Sequence, residues 1–325
     1  LLDKKPSVLL VYEMDCASKR YRVNNAMISL EELGLSCQQI SLSELDQISA
    51  WDWLDHVQMV LLHRLPSNPS LSRLLKECKK HTTFTVLDLD DAVHNKEIYG
   101  QSAVYDHLNR VEKILHDDMA NRIAETIRDV DHITVSTDVL KNLVQKATKN
   151  VTMVPNRISP EMVKTIEAKC LDSAAPITPT IGYMSGTSTH HRDFSLVTTS
   201  LEQILEKYPE SKLIIAGPLQ LTDSFTEKHQ NRIQRLELIN WPDFLCYYQL
   251  LTVNLAPLED TAFCRAKSGI KFLEAALSAV PTIASATPDF QRLIQNNKTG
   301  FLVEQDTDWF KYLNECLSDE ASRKR

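Results

Sequence analysis

The chain has 325 residues, of which 43% are hydrophobic and 24% charged, and its formal net charge is −7. This length favours two domains over one, and the composition is ordinary for a globular protein. The negative charge argues against a nucleic-acid partner, and no apolar run approaches the roughly 18 residues that a membrane-spanning helix needs. Without a signal-peptide pattern at the N-terminus, we expect a cytoplasmic location, or peripheral attachment at the inner face of a membrane.

The seven cysteines occur singly along the chain, at positions 16, 37, 78, 170, 246, 264 and 316. An odd set with no C-x-x-C pair predicts unpaired thiols in a reducing compartment and no zinc site. The chain begins without Met, just before a predicted strand. We therefore expect it to be a domain of a larger multidomain protein.

Predicted strands and helices alternate in the first half of the chain. Strands are predicted at 7–12, 37–40, 58–62, 83–89, 132–135 and 151–154. Helices are predicted up to Gly34 and at 69–80, 102–130 and 137–147. Such alternation is typical of a parallel, doubly wound α/β sheet.

The alternation stops near Pro155-Asn156-Arg157, and a loose segment at 158–179 follows. A second series then begins, with strands predicted at 180–184, 212–216, 236–239, 252–257 and 282–284. Its helices are predicted at 195–207, from Gly269, and at 307–317. We therefore predict two Rossmann-like lobes facing a cleft, 1–157 and 158–306, with a C-terminal helix in 307–325 that packs back towards the first lobe. Ligands of such sheets bind beyond the carboxyl ends of the strands.

The segment CRAKSGIKFLEAALSAVPTIAS, residues 264–285, predicts a basic loop, a helix and a buried strand. The N-terminus of a helix that begins at a glycine such as Gly269 can bind an anion through its backbone N–H groups. Lys267, Lys271 and Glu274 are spaced i, i+4, i+7 and would share one helix face. This layout suits a phosphate beside the lysines and a vicinal diol on the carboxylate. The alternative is a first turn whose lysines are merely solvated.

Several strings resemble retaining GT-B glycosyltransferases of family 4, the glycosyl transferases group 1. They are IGYMSGTSTHHRDF (181–194), LIIAGPL (213–219), VNLAPLED (253–260), the segment 264–285 just described, and GFLV (300–303). Asn156 resembles the Asn of that family's domain-joining Pro-Asn pair. The resemblance implies a nucleotide-sugar donor bound by the second lobe and a glycan or lipid-linked acceptor at the first. It also implies retention of anomeric configuration, with no metal or other cofactor.

The resemblance assigns roles to individual donor-lobe residues. In the family's E-x₇-E motif, Glu274 matches the glutamate that holds the ribose, and Gly269 and Ile270 match the backbone that contacts phosphate and sugar. The first glutamate is absent, because its position is Ala266. Lys267 and Ser268, or Glu259 and Asp260, would then serve the donor sugar instead. The remaining expected donor contacts are Gly186 and Thr187 in the phosphate loop, Arg192 against the pyrophosphate, and Lys271.

Lys267 and Arg192 are the expected stabilisers of the leaving group, and His63 is the third catalytic candidate. His63 and Arg64 end a predicted strand on the cleft side of the first lobe. Arg20 and Arg22 follow the first strand, where they would meet an acidic acceptor. The structural alternatives are a core histidine at a strand end, a solvated helix start, and for Arg192 a surface arginine beside Asp193.

The string VLDLDDAVH, residues 86–94, supports a rival interpretation. Its D-x-D resembles the motif of haloacid-dehalogenase-type phosphatases, with Asp88 as nucleophile, Asp90 as acid and Mg²⁺ bound. The motif's next conserved position is Ala92 where Thr or Val is expected, and no later Gly-Asp-x-x-x-Asp occurs. A metal-binding D-x-D of GT-A transferases is a third reading. We favour carboxylates that line the cleft, with Asp90 or Asp91 contacting the acceptor.

The absent first glutamate leaves a second class of function open. The chain could be a non-catalytic nucleotide- or glycan-binding module of a larger synthase. Turnover of a nucleotide sugar would separate this reading from a transferase.

Overall fold

The protein is described by a computed structural model that covers residues 6–48, 51–170, 178–185, 190–237 and 239–318. The chain divides into two compact units. Unit 1 comprises residues 1–157 and 266–268, and unit 2 comprises residues 158–265 and 269–325. In the described part of the chain, no helix combines the length and apolarity needed to cross a membrane.

Unit 1 is built on a parallel sheet of six strands. These are β1 Val8–Tyr12, β2 Cys37–Ser41, β3 Met59–His63, β4 Phe84–Leu89, β5 His132–Val135 and β6 Val151–Met153. Their order is β2-β1-β3-β4-β5-β6, with β1 and β4 inside the sheet. The apolar runs of the inner strands are buried, as expected for a parallel sheet covered on both faces.

The helices of unit 1 connect these strands. They are α1 Ala17–Lys19, α2 Asn25–Glu32, α3 Leu42–Leu45, α4 Pro69–Lys80, α5 Lys96–Tyr99, α6 Ala103–His107, α7 Arg110–Asp129 and α8 Asp138–Val144. A π-helical turn, Arg20–Asn24, joins α1 to α2. Helix α4 begins where the sequence predicts, because Asn68 caps Leu71 N–H and Pro69 takes the first helical position.

Unit 2 contains a second parallel sheet of six strands. These are β7 Thr180–Met184, β8 Lys212–Ala216, β9 Ile233–Leu236, β10 Val253–Ala256, β11 Thr282–Ser285 and β12 Phe301–Val303, in the order β12-β11-β10-β7-β8-β9. Its helices are α9 Pro160–Cys170, α10 His191–Lys207, α11 Asp223–His229, α12 Trp241–Cys246, α13 Ala262–Arg265, α14 Ile270–Ala276, α15 Pro288–Leu293 and α16 Asp306–Ser318.

The C-terminal helix α16 buries its apolar face in the core of unit 2. Trp309, Leu313 and Cys316 lie in the same hydrophobic cluster as Phe194 and Val197 of α10. This face recurs every three to four residues, which is the period of a core-facing helix stripe.

Four expectations differ from the structure. The segment predicted to be loose contains helix α9, and β9 lies three residues before its predicted range. Residues 266–268 cluster with unit 1, although the sequence assigned them to the second lobe. Cys246 is disulfide-bonded, so the prediction of unpaired thiols is wrong for this residue, since connectivity cannot be read from spacing.

Gly182 lets a connecting segment approach strand β7 closely. A Cβ atom built on Gly182 would lie 2.2 Å from Leu251 Cδ1, far inside van der Waals contact. Leu251 follows a 3₁₀ turn, Tyr247–Leu250, which packs on this side of the sheet. Only glycine fits here without displacing the side chain of Leu251.

Candidate active site

In unit 1, a buried ion pair lies where strand β4 ends. Asp88, 2% exposed, receives hydrogen bonds from Arg22 Nε and Nη2, and the Nη2–Oδ1 distance is 2.5 Å. Thr134 Oγ1 donates to the same carboxylate at 2.7 Å. Burial raises the pKa of Asp88, but the charge of Arg22 and the hydrogen bonds from His63 and Arg22 outweigh it, so this pKa lies well below its usual range.

Arg22 reaches Asp88 from the π-helical turn. Its remaining Nη1 donates to the carbonyl of Val154 at 2.5 Å and to Asn156 Oδ1 at 3.1 Å. The side chain is 4% exposed, so the expectation that it meets an acidic acceptor is wrong. A buried guanidinium needs every donor satisfied, and this network supplies the acceptors.

His63 connects the ion pair to the short helix α1, which follows β1. Its Nδ1 lies 3.1 Å from Asp88 Oδ2, and its Nε2 lies 3.1 Å from Ser18 Oγ. Ser18 Oγ in turn lies 3.1 Å from the thiol of Cys16, which is exposed. A polar chain therefore leads from a buried carboxylate to an exposed thiol.

Arg64, the next residue after His63, has a strained backbone. Its φ is +53°, in the left-handed region that a residue with a Cβ rarely occupies. Its N–H donates to the carbonyl of Asp88 at 3.0 Å, and its guanidinium binds Asp90 and lies 3.8 Å from Asp91. These contacts hold the residue in the unfavourable conformation.

The same contacts weaken the phosphatase and GT-A interpretations of the D-x-D motif. Asp88 binds Arg22, and Asp90 binds Arg64, so each carboxylate already has a cationic partner. An arginine within hydrogen-bond distance repels a divalent cation. Among the residues that the structure describes, no group of His, Cys, Asp and Glu has the arrangement of a metal site.

The segment 266–268 belongs to unit 1 and is fixed there by two hydrogen bonds. Thr137 Oγ1 donates to the carbonyl of Ala266 at 2.9 Å, and Asn156 Nδ2 donates to Ser268 Oγ at 2.8 Å. Lys267 is close enough to Asp91 to influence it. Burial raises the pKa of Asp91 more than the charges of Arg64 and Lys267 lower it.

Helix α14 of unit 2 begins at Ile270, so Lys267 lies outside it and the predicted helix face contains only Lys271 and Glu274. The N–H of Gly269, predicted to bind phosphate, donates instead to the buried carboxylate of Asp289 at 2.8 Å. A Cβ at Gly269 would lie 2.6 Å from Leu293 Cδ1, so close packing explains this glycine.

Lys271 and Glu274 are both fixed by neighbours. Lys271 Nζ donates to the carbonyl of Met184 at the end of β7 and lies 4.4 Å from the ring centroid of Tyr183. Glu274, 8% exposed, accepts a hydrogen bond from the hydroxyl of Tyr248 at 2.9 Å. An ammonium and a carboxylate thus project from consecutive turns of one helix.

Arg192 lies in the first turn of α10 and pairs with Glu259 at 2.9 Å. The two side chains are 33% and 21% exposed, so the pair is accessible. Neighbouring Asp193 is buried, where it accepts from the N–H of Glu259 at 2.9 Å and pairs with His190. Asp260, the other predicted replacement for the missing glutamate, pairs instead with Arg265.

Two of the predicted site residues, Gly186 and Thr187, lie outside the described residues. At the ends of β8 and β9, unit 2 has a cavity of about 840 Å³. It is lined by residues 217–221, Asp223 and residues 235–237. The sequence pointed to the glycine turn after β8 but not to this cavity.

Four contributors to the two sites were missed by sequence reasoning: Ser18, Thr134, Tyr248 and Asp289. Each contacts a predicted residue far away along the chain, as with Tyr248 and Glu274, 26 positions apart. No local motif encodes such a pair. Asp289 alone had a signal, since Thr287-Pro288-Asp289 is a helix start.

Residues 178–319 match the sequence model of the family described as glycosyl transferases group 1. A sequence comparison with curated proteins gives no match. Among solved structures, Anabaena HepE in complex with UDP and glucose superposes with a TM-score of 0.59 at 12% identity, over 98% of this chain and 92% of HepE.

Two further structures cover nearly the whole chain. A glycosyltransferase from Rickettsia africae gives a TM-score of 0.57 at 15% identity, over 99% of this chain and 91% of its own. A Listeria monocytogenes protein described as a UDP-N-acetylglucosamine 2-epimerase gives a TM-score of 0.55 at 11% identity, over 98% of this chain and 90% of its own. At these identities the likeness shows the fold, which confirms the prediction of two Rossmann-like lobes. Residues 178–319 thus match the glycosyl transferases group 1 model, and the whole chain has the two-lobed GT-B fold of these structures.

Proposed function

We propose that this chain moves a sugar from a nucleotide-sugar donor to a hydroxyl of a glycan or lipid-linked acceptor, and that unit 2 binds the donor. The observation that carries this is the position of Lys271 and Glu274 on successive turns of helix α14, with Lys271 reaching the end of β7. A diphosphate requires a cation, and a ribose diol can donate two hydrogen bonds to one carboxylate. HepE, whose fold this chain shares, has been crystallised with UDP and with UDP-glucose.

The cavity at the ends of β8 and β9 supports the same assignment. It is an open depression of about 840 Å³ at the surface of unit 2. It is formed by the carboxyl ends of two parallel strands, where ligands of such sheets bind. We assign the nucleobase to this cavity.

Catalysis in this proposal rests on charge. The leaving diphosphate gains negative charge as the glycosidic bond breaks, and Arg192 and Lys267 are the proposed cations that stabilise it. We propose retention on the family resemblance, and independence from metal because Asp88 and Asp90 already bind arginines.

A titration with UDP tests the donor site. Glu274→Gln should weaken UDP binding about tenfold or more, because a hydrogen bond to a charged group contributes roughly 1.5–3 kcal/mol. Glu206→Gln, which alters an exposed pair with Lys228, is the matched control and should bind like wild type. Equal affinity of the Glu274 variant and wild type, with intact folding, would remove Glu274 from the site.

Turnover of UDP-glucose in EDTA tests metal independence, and the anomeric proton of the product, read by NMR, tests retention. Lys267→Ala should lower turnover about 10²–10³-fold while UDP affinity changes little, since a leaving-group cation acts mainly on the transition state. A normal turnover number would exclude Lys267 from catalysis.

One observation supports the alternative of a non-catalytic binding module: Ala266 stands in place of the first glutamate. Ala266 is fully buried and its carbonyl is hydrogen-bonded, so it offers no side-chain contact to a sugar. UDP binding without any turnover of UDP-glucose would favour this second function.

A further inference from the structure

The buried carboxylate of Asp289 joins two neighbouring helices of unit 2. Asp289 lies in the first turn of α15 and is 5% exposed. Its Oδ2 accepts a hydrogen bond from the N–H of Gly269, the residue just before α14, at 2.8 Å. Its Oδ1 accepts from Arg292 Nε, also at 2.8 Å. Burying a carboxylate is costly unless it is paired and hydrogen-bonded, and here each oxygen has a donor.

The helix that carries Asp289 is itself fixed to the sheet. Just before α15, the N–H of Ala286 donates to the carbonyl of Val303 in β12 at 3.0 Å. Phe290 is 2% exposed, and a Cβ atom built on Gly269 would lie 3.2 Å from Phe290 Cδ1 and 2.6 Å from Leu293 Cδ1. The start of α14 is therefore packed against α15 as well as hydrogen-bonded to it, which leaves it little freedom to shift.

The two residues that we assign to the nucleotide depend on this start to different degrees. Lys271 lies two residues after Gly269, in the first turn of α14, and its Nζ donates to the carbonyl of Met184. Glu274 lies in the next turn and accepts from the hydroxyl of Tyr248, which belongs to a different segment. A displaced first turn would therefore move Lys271 more than Glu274.

We propose that Asp289 is a positioning residue of the donor site, which fixes the first turn of α14 through Gly269 and thereby places Lys271 for the diphosphate. Arg292 holds the carboxylate in the orientation that this role requires. The proposal rests on the proposed function. Because the N–H of Gly269 is bound by a carboxylate of the protein, the diphosphate is bound by side-chain cations and not by the start of α14.

The experiment measures the affinity of the full chain for UDP, inorganic pyrophosphate and uridine by calorimetric titration. Asp289→Ala removes the acceptor of the Gly269 N–H and should weaken the binding of UDP and pyrophosphate about five- to tenfold, the equivalent of one hydrogen bond. Uridine has no diphosphate, and Glu274 keeps its contact with Tyr248. Its affinity should therefore stay within about twofold of wild type, as for sites that do not share partners.

Two further variants separate positioning from a loss of stability. Asp289→Asn retains an oxygen that can accept from Gly269, so it should restore the wild-type affinity for UDP. Asp308→Ala is the matched control in the same unit, because Asp308 Oδ2 accepts from the N–H groups of Glu304 and Gln305 at 3.1 Å each. It should lower the melting temperature, as Asp289→Ala does, but leave UDP affinity unchanged.

Three results would overturn the proposal and leave the proposed function standing. They are wild-type affinity for UDP and pyrophosphate in a folded Asp289→Ala chain, an equal loss of affinity in Asp308→Ala, and a uridine affinity that falls as much as that for UDP. Failure of Asp289→Asn to restore binding would equally exclude a role through Gly269. A wild-type chain that binds no UDP would overturn the proposed function itself.

Arg292→Gln provides the test if Asp289→Ala does not fold. This variant alters a half-buried partner of the carboxylate and leaves the bond to Gly269 available. The affinity for pyrophosphate should fall about two- to threefold, less than for direct loss of the hydrogen bond, while that for uridine is unchanged. Wild-type affinity for pyrophosphate in this variant, together with full binding by Asp289→Asn, would overturn the role of the Arg292–Asp289 pair.

Discussion

The two units repeat one architecture but treat the ends of their strands differently. In unit 1, the carboxylates there bind arginines, as Asp88 binds Arg22 and Asp90 binds Arg64. In unit 2, the buried carboxylate of Glu274 accepts from the hydroxyl of Tyr248, whereas that of Asp289 accepts from the N–H of Gly269 and pairs with Arg292. The charges of unit 1 are therefore largely compensated within the protein. In unit 2, Lys271 donates to the carbonyl of Met184 and lies over the ring of Tyr183.

The largest expected effect is a loss of stability in unit 1, when the Arg22–Asp88 ion pair is broken. Asp88→Asn leaves the buried guanidinium of Arg22 without its countercharge, and breaking such a pair typically lowers stability by about 3–5 kcal/mol. Denaturant unfolding should show a large drop in the transition midpoint. Asp260→Asn, which alters the exposed pair with Arg265, should leave the midpoint unchanged within error. Similar midpoints for the two variants would contradict the comparison.

A second effect in unit 1 depends on pH. Burial lowers the pKa of His94 to about 4, from about 6.5 when unfolded. Between pH 6.5 and about 4, His94 therefore binds a proton in the unfolded chain but not in the folded chain. The free energy of unfolding is full above pH 6.5 and falls as the pH is lowered to about 4. The loss amounts to roughly 3 kcal/mol at 1.4 kcal/mol per pH unit.

Unfolding curves at several pH values test this loss. His94→Asn should flatten the dependence between pH 6.5 and 4, whereas His56→Gln, at an exposed histidine, should not. Asp88, whose pKa is depressed, acts at lower pH: its contribution is present above pH 4 and is lost as the pH falls further. A steep slope retained by His94→Asn would contradict the assignment.

In unit 2 the expected effects are smaller and concern binding. Tyr248→Phe removes the hydroxyl that orients Glu274, so UDP affinity should fall about three- to tenfold, in line with roughly 1 kcal/mol for one hydrogen bond. Unchanged affinity would mean that Glu274 needs no orientation.

Tyr183→Phe is the matched control in the same unit. The buried hydroxyl of Tyr183 has no hydrogen-bond partner among the described residues, and its ring, which faces Lys271, is kept. UDP affinity should stay at the wild-type value, while thermal stability should be equal or slightly higher, because an unsatisfied buried hydroxyl is unfavourable. A fall in stability would reveal a partner for this hydroxyl.

The fold was predictable where local signals agree with the tertiary structure. Strands β5, β7 and β8 and helix α4 have the predicted bounds, because apolar runs and caps define them. Helix α9 was missed although Ser159, Pro160 and Glu161 form a good helix start, and Ser159 does cap Met162 N–H at 3.3 Å. Prolines nearby had suggested a loop.

The sites were predictable only in part. The residue types of α14 pointed to Lys271 and Glu274. Their hydrogen-bond partners, Met184 and Tyr248, come from elsewhere in the chain. Arg22 follows a strand, as a cleft residue would, but it is buried. The sequence did not reveal this because its partner Asp88 lies 66 positions away. Long-range pairing depends on the assembled sheet, which a single sequence does not display.

Gly182 influences the packing beside the proposed donor site, although it has no functional group of its own. It admits Leu251 against β7, and the same short turn carries Tyr248, the residue that orients Glu274. A methyl group at position 182 would force the side chain of Leu251 into another position and disturb its packing beside this turn. The absence of a side chain at position 182 thus affects the packing around the carboxylate that we assign to the ribose.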